Sequence, residues 1–224
     1  MGARIRAGST GAMQWDWAWE VDFGMLRSDG SAKLWQGMMR DLGAFAEAAA
    51  PHTQELELPE IAIVLPQSLQ MSALNTMALQ AQENAVRALY QQAHGSAYVV
   101  GEYQIKRLGT PKLILLPSPM GLSESVWTAI AVRVRAGTTL LVTGPFDADA
   151  HLHGTDRAKL LGLNYQTVAL DLREEQINWP GGEDMFSYSG NKTTMLMRAA
   201  FSDDEQWKEI SLGSGRILFA ALPL

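Results

Sequence analysis

The chain has 224 residues, of which 47% are hydrophobic and 19% charged. That balance excludes a disordered polymer, and the length can bury one large core. Lys and Arg number 18 against 24 Asp and Glu, a net charge of −6, which argues against nucleic acid or an anionic membrane as the main partner because both demand a basic face. There is no cysteine, so disulfides, thiolate metal sites, iron–sulfur clusters and cysteine nucleophiles are excluded together.

No run approaches the ~20 unbroken apolar residues of a membrane helix. The start, Met1-Gly-Ala-Arg-Ile-Arg6, lacks the apolar core of a signal peptide, and Arg6 stands where a myristoylation pattern wants Ser or Thr. The cytoplasm is the favoured compartment on that basis.

Gly11-Ala-Met-Gln-Trp-Asp-Trp17 alternates and reads as a strand. A polar turn follows at Arg27-Ser-Asp-Gly30. Ser31 is placed to cap a helix through Ala50, with Leu34, Trp35, Met38, Leu42 and Phe45 near helical spacing, and Pro51 is expected to stop it. Ile61-Ala-Ile-Val-Leu65 is a continuous apolar run, as for a strand buried on both faces. A helix is expected over Ser72–Ala93, ending near Gly95. Strands are expected at Ala97–Val100, Lys112–Leu116 and Thr138–Thr143, and helices at Ser123–Arg135 and Asp156–Leu163. Short strands alternating with helices predict a mainly parallel sheet covered on both faces. After residue 164 the helices vanish. Tyr165–Leu170, Thr193–Ala200 and Arg216–Ala221 read as strands added to the same sheet, with turns at Asn178–Gly182 and Gly213–Gly215. The expected division is a β/α unit over 1–51 and an α/β domain over 52–224.

The loops at strand ends carry no G-x-G-x-x-G, no phosphate-cradling G-x-x-x-x-G-K-[ST] and no G-x-S-x-G elbow. Ser118 lies on such a loop between two prolines, and a structural turn is favoured over a nucleophile. His151 and His153, near Asp147, Asp149 and Asp156, form the one metal-like cluster. No third ligand clearly converges, so a solvated loop is favoured and no metal or other cofactor is expected. Trp15, Trp17 and Trp19 alternate beside Asp16 and Glu20. They are either core or a carbohydrate platform, with the two carboxylates as a conceivable glycosidase pair. Trp35 and Trp127 fall on helix faces and are expected in the core. Asn191-Lys-Thr193 fits a glycosylation triplet.

Residues 11–17 resemble the eighth strand of a clan A glycoside hydrolase barrel. Asp22-Phe-Gly-Met-Leu-Arg-Ser-Asp-Gly-Ser-Ala-Lys33 resembles the stretch leading into the eighth barrel helix. From Glu60 onward the chain is similar to the domain that follows the barrel in family 42 β-galactosidases. That is the trimerisation domain, with a flavodoxin-like, class I glutamine-amidotransferase-like fold. Ile61-Ala-Ile-Val-Leu-Pro66, Ala88-Leu-Tyr90, Pro111–Pro117, Gly137–Gly144 and Gly213–Leu224 carry the resemblance. It implies that the catalytic glutamates belong to barrel strands upstream of Met1. It implies further that the amidotransferase nucleophile position falls on Thr143-Gly-Pro145, where no cysteine exists. Trp15 would be the aromatic that borders the sugar site, with Trp17 next.

The expectation is a non-catalytic assembly domain of a multidomain glycoside hydrolase, lacking its barrel and meeting either that barrel or further copies of itself. Carbohydrate is a further candidate ligand, bound through Trp15, Asp16, Trp17, Trp19 and Glu20. The alternatives are a free-standing glycoside hydrolase using Asp16, Glu20 or Glu102, or a carbohydrate-binding protein.

Overall fold

The computed structural model describes residues 24–53, 58–170, 174–187 and 195–224. The chain divides into two compact units, Met1–Pro59 and Glu60–Leu224. The strand expected over 11–17 lies outside the described residues.

In the first unit a tight turn precedes a long helix, α1 (Leu34–Thr53). Gly30 supplies the positive φ of 78°. The helix begins later than Ser31 because Ser31 belongs to the turn. Its N–H donates to Asp29 Oδ1 at 2.8 Å, and its hydroxyl accepts from the Arg27 guanidinium at 3.2 Å. Pro51 does not stop the helix, which runs past it to Thr53; its fixed φ is compatible with the last helical turn. Leu34, Met38 and Phe45 are 80%, 59% and 53% exposed. At 100° per residue they lie within an arc of about 40°, so α1 carries an uncovered apolar stripe. Trp35 is half-exposed, not core, and its indole N–H donates to the Gly24 carbonyl at 2.9 Å.

The second unit is mixed α/β around a mainly parallel sheet. Its strands are β1 (Ile61–Leu65), β2 (Ala97–Gly101), β3 (Leu113–Pro117), β4 (Thr139–Thr143), β9 (Trp207–Leu212) and β10 (Gly215–Ala220), in the order β2-β1-β3-β4-β10-β9. All neighbours are parallel except β9, which runs antiparallel along β10 at the edge. Alternation assigns the two faces. Ala62, Val64, Ile114, Leu116, Leu140, Val142, Ile217 and Phe219 pack with α3 (Glu124–Arg135). That helix buries Val126, Trp127, Ile130, Ala131 and Val134 on one side, and the branched aliphatics among them are each worth roughly 1.5–3 kcal/mol by burial. The opposite face packs Ile63 and Ala97 against Leu89, in the π turn that continues α2 (Asn75–Arg87). Ser123 stands at the N-cap of α3, although its hydroxyl pairs with Ser125 and not with the backbone.

After β4 the chain departs from the expected extension of one sheet. A short helix α4 (Arg157–Leu160) is followed by β5 (Gln166–Ala169), β6 (Glu174–Trp179), β7 (Gly182–Ser187) and β8 (Met197–Ala200). β5 pairs with β8, and β6 with β7, as two separate antiparallel pairs. The edge of β10 is already taken by β9, and β8 meets β10 only past its end, where Ala199 N–H donates to the Ala221 carbonyl at 2.9 Å.

Candidate functional site

In a sheet of this kind ligands enter a crevice at the carboxyl ends of the strands, where the strand order reverses. Here that place lies between β1 and β3, and the chain fills it. Leu69 after β1, Met120 after β3 and Leu222 after β10 pack into one apolar cluster with Leu74 and Met77. Ile177, Trp179 and Phe186 of the β6–β7 hairpin cover the same cluster.

Beside it Glu102 is 1% exposed. Its two carboxylate oxygens accept the backbone N–H groups of Ser68 and Ser123, each at 2.8 Å. Glu102 ties the loop after β1 to the start of α3, with both carboxylate oxygens engaged. Ser118 is fully buried with φ 46°, and its hydroxyl finds no partner among the described residues. It is a strained turn residue without access to substrate. The Thr143-Gly-Pro145 turn has Gly144 at φ 79°, and a Cβ there would stand 3.3 Å from Pro223 Cα. That turn has no thiol, and a side chain at Gly144 would crowd Pro223 and strain the backbone.

Asp149 Oδ1 accepts the N–H groups of His151 and His153 at 2.8 and 2.9 Å. These bonds hold its carboxyl below the usual carboxylate range. The loop is thus an aspartate-centred turn, and no set of three metal ligands occurs among the described residues. Trp15, Asp16, Trp17, Trp19, Glu20 and the Asn191 triplet lie outside the described residues.

A cavity of about 620 Å³ opens beyond β4, walled by the loop after that strand, by α4, and by the ends of β5 and β8. Leu163, Tyr165 and Phe201 form its apolar side. Tyr165 is fixed by its neighbours: its hydroxyl accepts the Phe146 N–H at 3.0 Å, and its ring forms an edge contact with Phe201 at 5.6 Å. Burial, reinforced by the charge of Asp147, pushes its phenol well above the ordinary range. Asp147 accepts the Thr167 hydroxyl at 3.1 and 3.2 Å, and its carbonyl accepts the Thr155 N–H at 2.6 Å. The enclosed Thr155 hydroxyl on the same wall has no partner among the described residues. α4 is anchored by Arg157, 4% exposed, which donates to the Leu122 carbonyl and to Glu124, both at 2.9 Å. Exposed Lys159, Asn164 and Gln166 complete the rim. Sequence proximity groups Asp147 with His151 and His153, whereas the fold sets it in this cavity wall. The cavity itself has no motif, because its walls join residues of the 147–166 stretch to Ala200, Phe201 and Ser202 at the end of β8.

No protein-family model and no curated protein matches the chain. Solved structures share its fold. A GH42 β-galactosidase from G. stearothermophilus, in a catalytic mutant, superposes with TM-score 0.59 at 13% identity over 94% of this chain and 35% of that one. The β-galactosidase from Bacillus circulans sp. alkalophilus gives 0.60 at 13%, over 89% and 34%. The exo-β-1,4-mannosidase Op5Man5 from Opitutaceae bacterium strain TAV5 gives 0.53 at 13%, over 90% and 37%. The chain spans about a third of the length of these structures.

Proposed function

We propose that the chain is a non-catalytic part of a multidomain glycoside hydrolase of the β-galactosidase type. Residues 1–51 would be the last β/α unit of a barrel, and residues 52–224 a flavodoxin-like, glutamine-amidotransferase-like domain that serves assembly. The observation that carries the proposal is the lopsided match: the β-galactosidase structures cover about nine-tenths of this chain, yet the chain covers only about a third of them. The filled crevice, the engaged Glu102 and the crowded Gly144 turn support a scaffold over a catalyst. The strand order β2-β1-β3-β4-β10 supports the flavodoxin-like description. The apolar stripe Leu34–Met38–Phe45 supports self-association or a partner barrel, since such stripes bury themselves where they can.

Two measurements test this on the full chain. Light scattering is expected to give a dimer or larger species, and a monomer at micromolar concentration overturns self-association as the assembly role. Incubation with nitrophenyl galactosides is expected to release no nitrophenol. Turnover that disappears on Glu20→Gln overturns the non-catalytic assignment.

A further inference from the structure

We propose that the cavity between the β4 loop, α4 and the β5–β8 pair is a binding site for a neutral, polyhydroxylated ligand of mono- or disaccharide size. This goes beyond the assembly role and does not involve the tryptophan-rich segment. A volume near 620 Å³ falls within the usual span of small-molecule sites. The composition then selects the ligand. One side is apolar and partly aromatic, through Leu163, Tyr165 and Phe201. The other presents acceptors at Asp147, a donor at Lys159, and groups that do both at Asn164 and Gln166. A hydroxyl is both donor and acceptor, so a ring of hydroxyls with an apolar C–H face matches such a mixed wall.

Charged ligands fit less well. Asp147 and Asp156 oppose Lys159, so the lining carries one net negative charge and repels anions. Too few carboxylates converge to strip a divalent cation of its water, in keeping with the lack of a three-ligand set among the described residues. The walls are also built to hold still. Tyr165 is clamped by Phe146, Phe201 and Phe219, and Asp147 by Thr167, while Arg157 pins α4. A prepositioned wall loses little entropy on binding.

The test is an amide NMR titration of the full chain with galactose and with lactose, each to high millimolar concentration. Saturable shifts confined to the amides of Thr155, Tyr165, Gln166 and their neighbours are expected. Asn164→Ala and Lys159→Ala alter exposed rim residues, so the fold should persist. Each is expected to weaken binding by about tenfold, as for one lost hydrogen bond. Asp147→Asn is expected to do the same, and its amide spectrum reports whether the loop is intact. Shifts that never saturate, that centre elsewhere, or that are unchanged in all three variants overturn the site. So does saturable binding of inorganic phosphate or Ca²⁺ there with no response to either sugar. Oligomeric state is read separately, so this proposal can fail while the assembly role stands, and the reverse.

Discussion

Tyr165 lies flat on Phe219, with ring centroids 5.5 Å apart and planes 7° from parallel. Phe219 belongs to β10, one strand in from the edge of the main sheet, whereas Tyr165 immediately precedes β5 in the outlying pair. The stack therefore joins the cavity wall to the core. Since the Tyr165 hydroxyl also accepts the Phe146 N–H, Tyr165→Phe keeps the stack but leaves a donor without its partner. A loss of about 1–3 kcal/mol in urea unfolding is expected. Tyr165→Leu removes the ring pairs as well and should cost more. The phenol is also predicted to resist base. Its pKa is raised above 10.0 by burial and by Asp147, so its contribution to stability is whole below that pH and declines as pH rises further. A near-ultraviolet alkaline titration should show one of the five tyrosines ionising only with unfolding, and Tyr165→Phe should abolish that late step.

Glu102 offers a second prediction. Glu102→Ala strands two N–H groups, those of Ser68 and Ser123, in a site that is 1% exposed. The expected cost is about 3 kcal/mol, since bonds to a charged group are the stronger kind. Glu102→Gln retains one acceptor and turns an amide NH₂ towards the other N–H, so an intermediate loss is expected. If Glu102→Ala unfolds at the same urea concentration as the parent, the carboxylate does not bridge these loops.

The central strands were legible because burial on both faces writes itself as an unbroken apolar run, as in Ile61–Leu65 and Leu113–Leu116. α3 was legible because Val126, Trp127, Ile130, Ala131 and Val134 share one face. β6, by contrast, buries only Ile177 fully, so its alternation carries a single strong apolar mark among polar residues. β9 is an edge strand with Lys208 and Glu209 among its residues, and edges of this kind lack a hydrophobic signature. Glu102 could be named from its place after β2, but its partners are backbone N–H groups, which no side-chain pattern announces. The cavity was hidden for a different reason: Asp147, Tyr165 and Phe201 meet only because β5 and β8 pair away from the main sheet.

Ser118 yields a prediction of opposite sign. It holds φ at 46° while fully buried, and its hydroxyl has no partner among the described residues. Both the backbone and the hydroxyl are unfavourable. Ser118→Gly relieves both, at the cost of extra freedom in the unfolded chain. A net gain of roughly 1 kcal/mol is expected, seen as a rise in Tm. A fall in Tm would mean that the hydroxyl has a partner worth keeping.

The last prediction separates two reasons for glycine around the α3–β4 connection. Gly137 has φ 119° with nothing within 4 Å of a notional Cβ. Its side-chain space is open, and only its backbone demands glycine. Gly215 begins β10, and a Cβ there would stand 2.2 Å from the Val134 carbonyl oxygen and 2.3 Å from that of Thr138. Those carbonyls belong to the end of α3 and to the residue before β4, and neither is the tip of a flexible side chain. Gly137→Ala is therefore expected to cost about 1–3 kcal/mol through backbone strain. Gly215→Ala must push the β10 start away from α3, and a loss above about 4 kcal/mol is expected, in the range reserved for steric disruption of a core. Amide exchange distinguishes the two. Gly137→Ala should speed exchange locally at the turn, whereas Gly215→Ala should speed it along β10 and its partners β4 and β9 together. Equal losses in both variants would mean that the close approach at Gly215 relaxes, and that the α3 end is not a fixed wall for the sheet.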